Sequence, residues 1–108
     1  MINILDFQKV ELKVGKILEA RDLEGARKPM YVLKVDIGEE NPREIVAGIA
    51  DRYAKEELIG RRIIVVANLE PKRVANFPSN GMLLAAETES DLALLTTDKD
   101  IAPGSKIH

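Results

Sequence analysis

A phase break in one alternating segment constrains this chain most. From Val10 onward, Val10, Leu12, Val14, Leu18 and Ala20 recur on one face, with Glu11, Lys13, Glu19 and Arg21 on the other. Period-2 alternation is the mark of a half-buried strand. Lys16 and Ile17 fall out of phase directly after Gly15. A glycine at such a break predicts a bulge or sharp bend, the device that lets one long strand serve two sides of a barrel. Asp6 is expected to cap a short helical turn, Phe7-Gln8-Lys9, ahead of it.

The rest of the chain supplies the other staves. Tyr31, Leu33, Val35 and Ile37 point inward on a second strand, with Lys34 and Asp36 outward. A third strand, Arg43 to Ile49, is expected to bury Ile45, Ala47 and Ile49. Asp51 is the candidate N-cap of a short helix running to Leu58, closed by Gly60. Ile63 to Ala67 is the fourth strand and Met82 to Ala86 the fifth. Five strands with one short helix between the third and fourth predict a mainly β fold, the five-stranded OB-fold Greek-key barrel. The barrel is expected over about residues 6–88, with a C-terminal extension over about 89–108, all in a single domain.

In that architecture the face of strands two and three, and the loops joining strands one to two and four to five, form the usual binding surface. Each of those loops carries a basic pair: Arg27-Lys28 in the first, Lys72-Arg73 in the second. The second loop lies in the stretch NLEPKRVANFPSNGMLLAA, Asn68 to Ala86, where a long connection joins two buried-strand patterns. Long loops in compact domains are commonly functional. The net charge is −2, which by itself does not announce a nucleic-acid binder. Its distribution is uneven. Arg61 to Asn80 holds four bases and one acid, a local +3, and Leu84 to His108 holds five acids and two bases, a local −3. A chain polarised in this way can offer one basic face despite its total.

Several chemistries are missing. There is no cysteine, and the one histidine is the terminal His108, so no nucleophile–histidine pair or thiolate metal site can be assembled. No glycine-rich phosphate loop is present. We expect no catalysis, no metal and no cofactor. No secretory leader pattern or membrane-length apolar run is apparent, which reads as a soluble, cytoplasmic protein without membrane association. The aromatics are Phe7, Tyr31, Tyr53 and Phe77, and only Phe77 falls in a recognition loop. Single-strand binders stack bases on several aromatic platforms. That scarcity favours a folded RNA recognised by backbone and shape.

The motifs DFQKVELKVGKI (6–17), YVLKVDIG (31–38), IVAGIADRYAKEELIGRR (45–62), NLEPKRV (68–74) and SNGMLLAAE (79–87) resemble a known family across nearly the whole chain. It is the tRNA-binding domain that occurs free-standing, as the beta chain or C-terminal appendage of methionyl-tRNA synthetases, and in synthetase-associated cytokine precursors. The resemblance implies an OB barrel, a homodimer built partly from the C-terminal extension, and tRNA binding through structure. It also admits a methionyl-tRNA synthetase catalytic chain as partner. Asn76 stands where the family usually has glycine, and asparagine tolerates positive φ. Ala75 stands where some members carry another base. ARKPMY (26–31) and APGSKI (102–107) are more similar to a sister branch of export-related chaperones, credited with binding unfolded peptides.

On this reading Arg27, Lys28, Lys72 and Arg73 contact phosphates, and Lys34 and Arg43 extend the basic face. Asn68 and Ser79 shape the loop and hydrogen-bond to RNA. Leu92, Leu94, Leu95, Ile101 and Ile107 are expected to find their burial against a second copy of the chain. The alternative function is an export-related chaperone.

Overall fold

In a computed structural model describing residues 1–108, the elements follow one another as α1 (Ile4–Gln8), β1 (Leu12–Asp22), β2 (Tyr31–Asp36), β3 (Arg43–Ala47), α2 (Lys55–Leu58) and β4 (Arg62–Val66). The chain continues through β5 (Lys72–Val74), β6 (Phe77–Ser79), β7 (Met82–Leu83), β8 (Ala85–Glu87), β9 (Leu92–Leu94) and β10 (Lys106–Ile107). The main sheet runs in the order β3-β2-β1-β4-β7, with β10 added beside β1. It is antiparallel throughout and curls into a nearly closed, OB-like barrel of five strands.

β1 does serve two sides. Leu12 to Lys16 pairs with β4, and Lys16 to Asp22 pairs with β2. The bulge, however, falls between Ile17 and Glu19, leaving Leu18 unpaired. Gly15 has a different duty: a Cβ there would stand 2.7 Å from Val35 Cγ1 and 2.9 Å from Val65 Cγ2. Only a glycine lets β1 turn the corner while valines from both neighbouring strands pack across it.

The core takes the alternating residues of β2 and β3 together with Ile17, which the alternation leaves out of phase, while Leu18 is exposed. Ile17, Leu33, Val35, Ile45, Leu58, Ile63 and Val65 are fully buried and in one cluster. Burying each of the larger ones contributes about 1.5–3 kcal/mol. Tyr31 joins them and donates its hydroxyl to the Tyr53 carbonyl at 2.7 Å. The Tyr53 hydroxyl in turn accepts from Leu94 N–H at 3.0 Å. Both tyrosines are thus committed to packing.

Both expected caps are displaced. Asn3, not Asp6, caps α1, accepting the Asp6 N–H at 2.9 Å. α2 begins only after Ala54, with no side-chain cap, so Asp51 and Tyr53 lie in the turn before it. Gly60 follows the helix end at φ +84°, the left-handed position that suits glycine.

Two connections differ from expectation. The long loop after β4 contains a hairpin, β5–β6, in which Val74 pairs with Phe77. Its two turn residues, Ala75 and Asn76, sit at φ 50° and 66°, as a two-residue type I′ turn requires. Asn76 tolerates that conformation readily; Ala75 does so under strain. The fifth strand is short, because the chain leaves the barrel after Leu83 and pairs β8 with β9. That hairpin brings Leu94 into the barrel core and Leu92 against it. Ile107 pairs with Leu12 through β10. The segment after Thr88 therefore completes the barrel in part, where the sequence suggests an addition to it.

Candidate functional site

The hairpin is held to the barrel from its base. Ser79 is buried, and its Oγ accepts the Val46 N–H at 2.9 Å. Asn80 N–H donates to the Glu44 carbonyl at 2.9 Å. Gly81, at φ +128°, brings the chain close over Ile45, where a Cβ would stand 3.2 Å from Ile45 Cδ1. The Ser-Asn-Gly step thus closes the barrel between β3 and β7. Arg21 adds a strut, its guanidinium 5.4 Å from the Phe77 ring centroid and 2.8 Å from Glu44 Oε2. Phe77 is occupied by this interaction and is no open stacking platform.

On that base Arg27, Lys28 and Lys72 border adjoining cavities. A cavity of about 410 Å³ is bordered by Arg27 and Lys28 on one side and by Val74 and Ala75 of the hairpin on the other. A neighbouring cavity of about 590 Å³ is bordered by Lys72, Leu69, Val46 and Met82. Met30 and Val74 line both, so they form one groove between the connection before β2 and the hairpin. Arg27, Lys28, Lys72 and Arg73 are all exposed, and none forms an ion pair. Arg73 donates to the Asn76 carbonyl at 2.6 Å, which lays it along the turn.

The other candidates are differently placed. Lys34 stands on the barrel wall, 2.7 Å from Glu19 Oε2, and this hydrogen bond, with the lysine charge behind it, holds Glu19 below its ordinary pKa. Arg43 donates Nε and Nη2 to Glu39 and Nη1 to the Ala67 carbonyl at 2.6 Å. Its side chain is only 15% exposed, and the bond to Glu39 raises its pKa while lowering that of Glu39. Asn68 accepts Glu11 N–H at 2.8 Å and donates to the Lys9 carbonyl, fastening the start of the loop to the N-terminal segment. Arg43, Asn68 and Ser79 therefore spend their polar atoms on the fold.

The apolar candidates for a second subunit also divide. Leu94 is buried in its own barrel, Leu92 packs on that core, and Ile107 is partly covered beside β1. Leu95 and Ile101 remain exposed at 38% and 46%. Sequence reasoning misses a larger apolar surface: Ile4, Leu5 and Phe7 are all exposed, and α1 buries none of its residues. Three apolar residues in so short a helix are the available signal.

Comparison with known proteins places these features. Residues 12–106 match the family described as "Putative tRNA binding domain". The chain is 53% identical over 106 residues to the methionine–tRNA ligase of Caldanaerobacter subterraneus subsp. tengcongensis. That match covers 98% of this chain but 16% of the ligase. The crystal structure of the CsaA chaperone protein from Picrophilus torridus superposes with a TM-score of 0.92 at 41% identity, covering 100% of each chain. A MetRS related protein from Pyrococcus horikoshii superposes at 0.89 with 35% identity, covering 100% of this chain and 98% of that one.

Proposed function

Since the chain belongs to the tRNA-binding domain family, we propose that it is a non-catalytic, homodimeric protein that binds tRNA by its folded shape. It acts in the cytoplasm as an accessory to a methionyl-tRNA synthetase catalytic chain. The observation that carries this reading is the convergence of Arg27, Lys28 and Lys72 on one groove with no carboxylate paired to them. Cations without partners are the ones free to displace counterions from a phosphate backbone. No helix is long and apolar enough to cross a membrane.

The dimer is part of the proposal, and its support lies partly outside the C-terminal extension. Leu92, Leu94 and Ile107 already have neighbours in their own chain, so the exposed Leu95 and Ile101 and the face of α1 are the stronger reasons for a second copy. A twofold partner offers the same apolar patch in return and doubles the basic surface presented to one tRNA.

A second reading, a chaperone for unfolded peptides, has the full-length likeness to the CsaA structure in its favour. One titration separates the two: bulk tRNA and a denatured polypeptide compete for the protein over a range of salt. The tRNA reading expects affinity that falls steeply with salt and is similar for unrelated tRNAs. Salt-insensitive binding of the polypeptide, with tRNA ignored, would assign the chaperone role.

A further inference from the structure

The groove at Met30 has two parts that share Met30 and Val74. Arg27 and Lys28 border one part, and Val46, Leu69, Met82, Lys72 and Glu70 border the other. Gly48 seats Met30: a Cβ at 48 would lie 3.3 Å from the Met30 ε-methyl, so a larger residue there would crowd that side chain. Met82 and Leu69, 48% and 45% exposed, border the same part of the groove, so its wall offers adjoining apolar surface.

We propose that this groove receives one unpaired nucleobase of a folded RNA, held between the Met30 and Met82 thioethers, with its flanking phosphates on Lys28 and Lys72. The inference rests on the tRNA-binding reading and adds to it a site within the basic surface. Three features select a base. A thioether meets an aromatic ring edge or face favourably, worth about 0.3–1.5 kcal/mol, and needs no aromatic side chain. Glu70 lines the same groove, and a carboxylate there is an acceptor for the exocyclic amino group of a base. Cations in both parts match a nucleotide, whose apolar ring lies between two anionic linkages. An apolar peptide side chain would leave those charges unanswered.

The chain has three methionines, Met1, Met30 and Met82, which makes the test direct. The protein carrying 13C-labelled methionine methyls is titrated with bulk tRNA, with a fully paired RNA duplex, and with a denatured apolar polypeptide. With tRNA, the Met30 and Met82 methyls should shift under the ring current of the bound base, upfield over its face and downfield at its edge, while Met1, outside the groove, stays in place. The paired duplex should bind without that shift. Met30→Ala should weaken tRNA binding about two- to tenfold, the effect of removing one thioether–ring interaction, and leave the salt slope unchanged. If tRNA binds while both methyls stay where they are, the base site is overturned and the tRNA reading survives. Absence of any tRNA binding overturns both. Shifts produced by the polypeptide and not by tRNA give the groove to peptides and overturn the proposal.

Discussion

Two sets of cations on this small barrel, three on its wall and four on its loops, stand in opposite circumstances. Lys34, Arg43 and Arg21 lie along the β1–β2–β3 wall, each with a carboxylate within 2.8 Å. Arg27, Lys28, Lys72 and Arg73 lie on the connection before β2 and on the β5–β6 hairpin, and no carboxylate reaches them. Lys34 faces Glu19 directly across β1 and β2, Arg21 reaches over β2 to Glu44 on β3, and Arg43 folds back on Glu39 in the turn before its own strand. Lys72 and Arg73 face Ser79 and Pro78 across β5 and β6, neither of which carries a charge. The wall charges are engaged by carboxylates, and the loop charges are not.

The comparison is broken most severely by reversing the loop charges. Lys72→Glu with Arg73→Glu should weaken tRNA binding on the order of a hundredfold at low salt and lower the salt slope by about two, read by filter binding. An unchanged affinity with intact circular dichroism would remove the hairpin from the site. Next in size is Ser79→Ala. Removing the acceptor for the buried Val46 N–H should cost about 1–3 kcal/mol in denaturant unfolding. Folded protein should retain its salt slope, because the substitution removes a neutral hydroxyl already bonded to Val46 N–H and no charge.

Much of the fold is legible in the sequence, and the reasons are local. Tyr31, Leu33, Val35 and Ile37 are buried as their alternation implies, because a period of two leaves a strand one choice of inner face. Val32, between them, is also buried, since the hairpin comes down over the outer face and borders the same recess through Phe77. No periodicity reports a cover supplied by residues so distant in sequence. The structural duty of Ser79 is hidden for the same reason. Its partner, Val46, is 33 positions away and is a backbone N–H, so no side-chain pattern marks it. Leu94 belongs to a short apolar run in a polar tail, and such a run does not say which surface will receive it. The basic pairs are legible because turn residues fix where loops fall, and loop charges need no register to be exposed.

Smaller effects sharpen the contrast. Ala75→Gly should raise stability by about 0.5–1 kcal/mol, because glycine accepts φ 50° without the strain alanine bears there. A stability unchanged or lowered in thermal melts would mean that the turn relaxes elsewhere. Lys34→Ala, on the wall, should change tRNA affinity by no more than about twofold, since an exposed ion pair is worth little and its lysine is already engaged.

The claim that loop cations and not wall cations carry RNA binding is tested most directly by one salt titration. tRNA affinity is measured against salt for the native chain, for the fourfold variant Arg27→Ala, Lys28→Ala, Lys72→Ala, Arg73→Ala, and for the wall variant Lys34→Ala. The slope of log affinity against log salt should fall by about three to four in the fourfold variant, near one for each phosphate no longer neutralised, and stay at the native value in the wall variant. A fourfold variant that keeps the native slope, or a wall variant whose slope falls, would contradict the account.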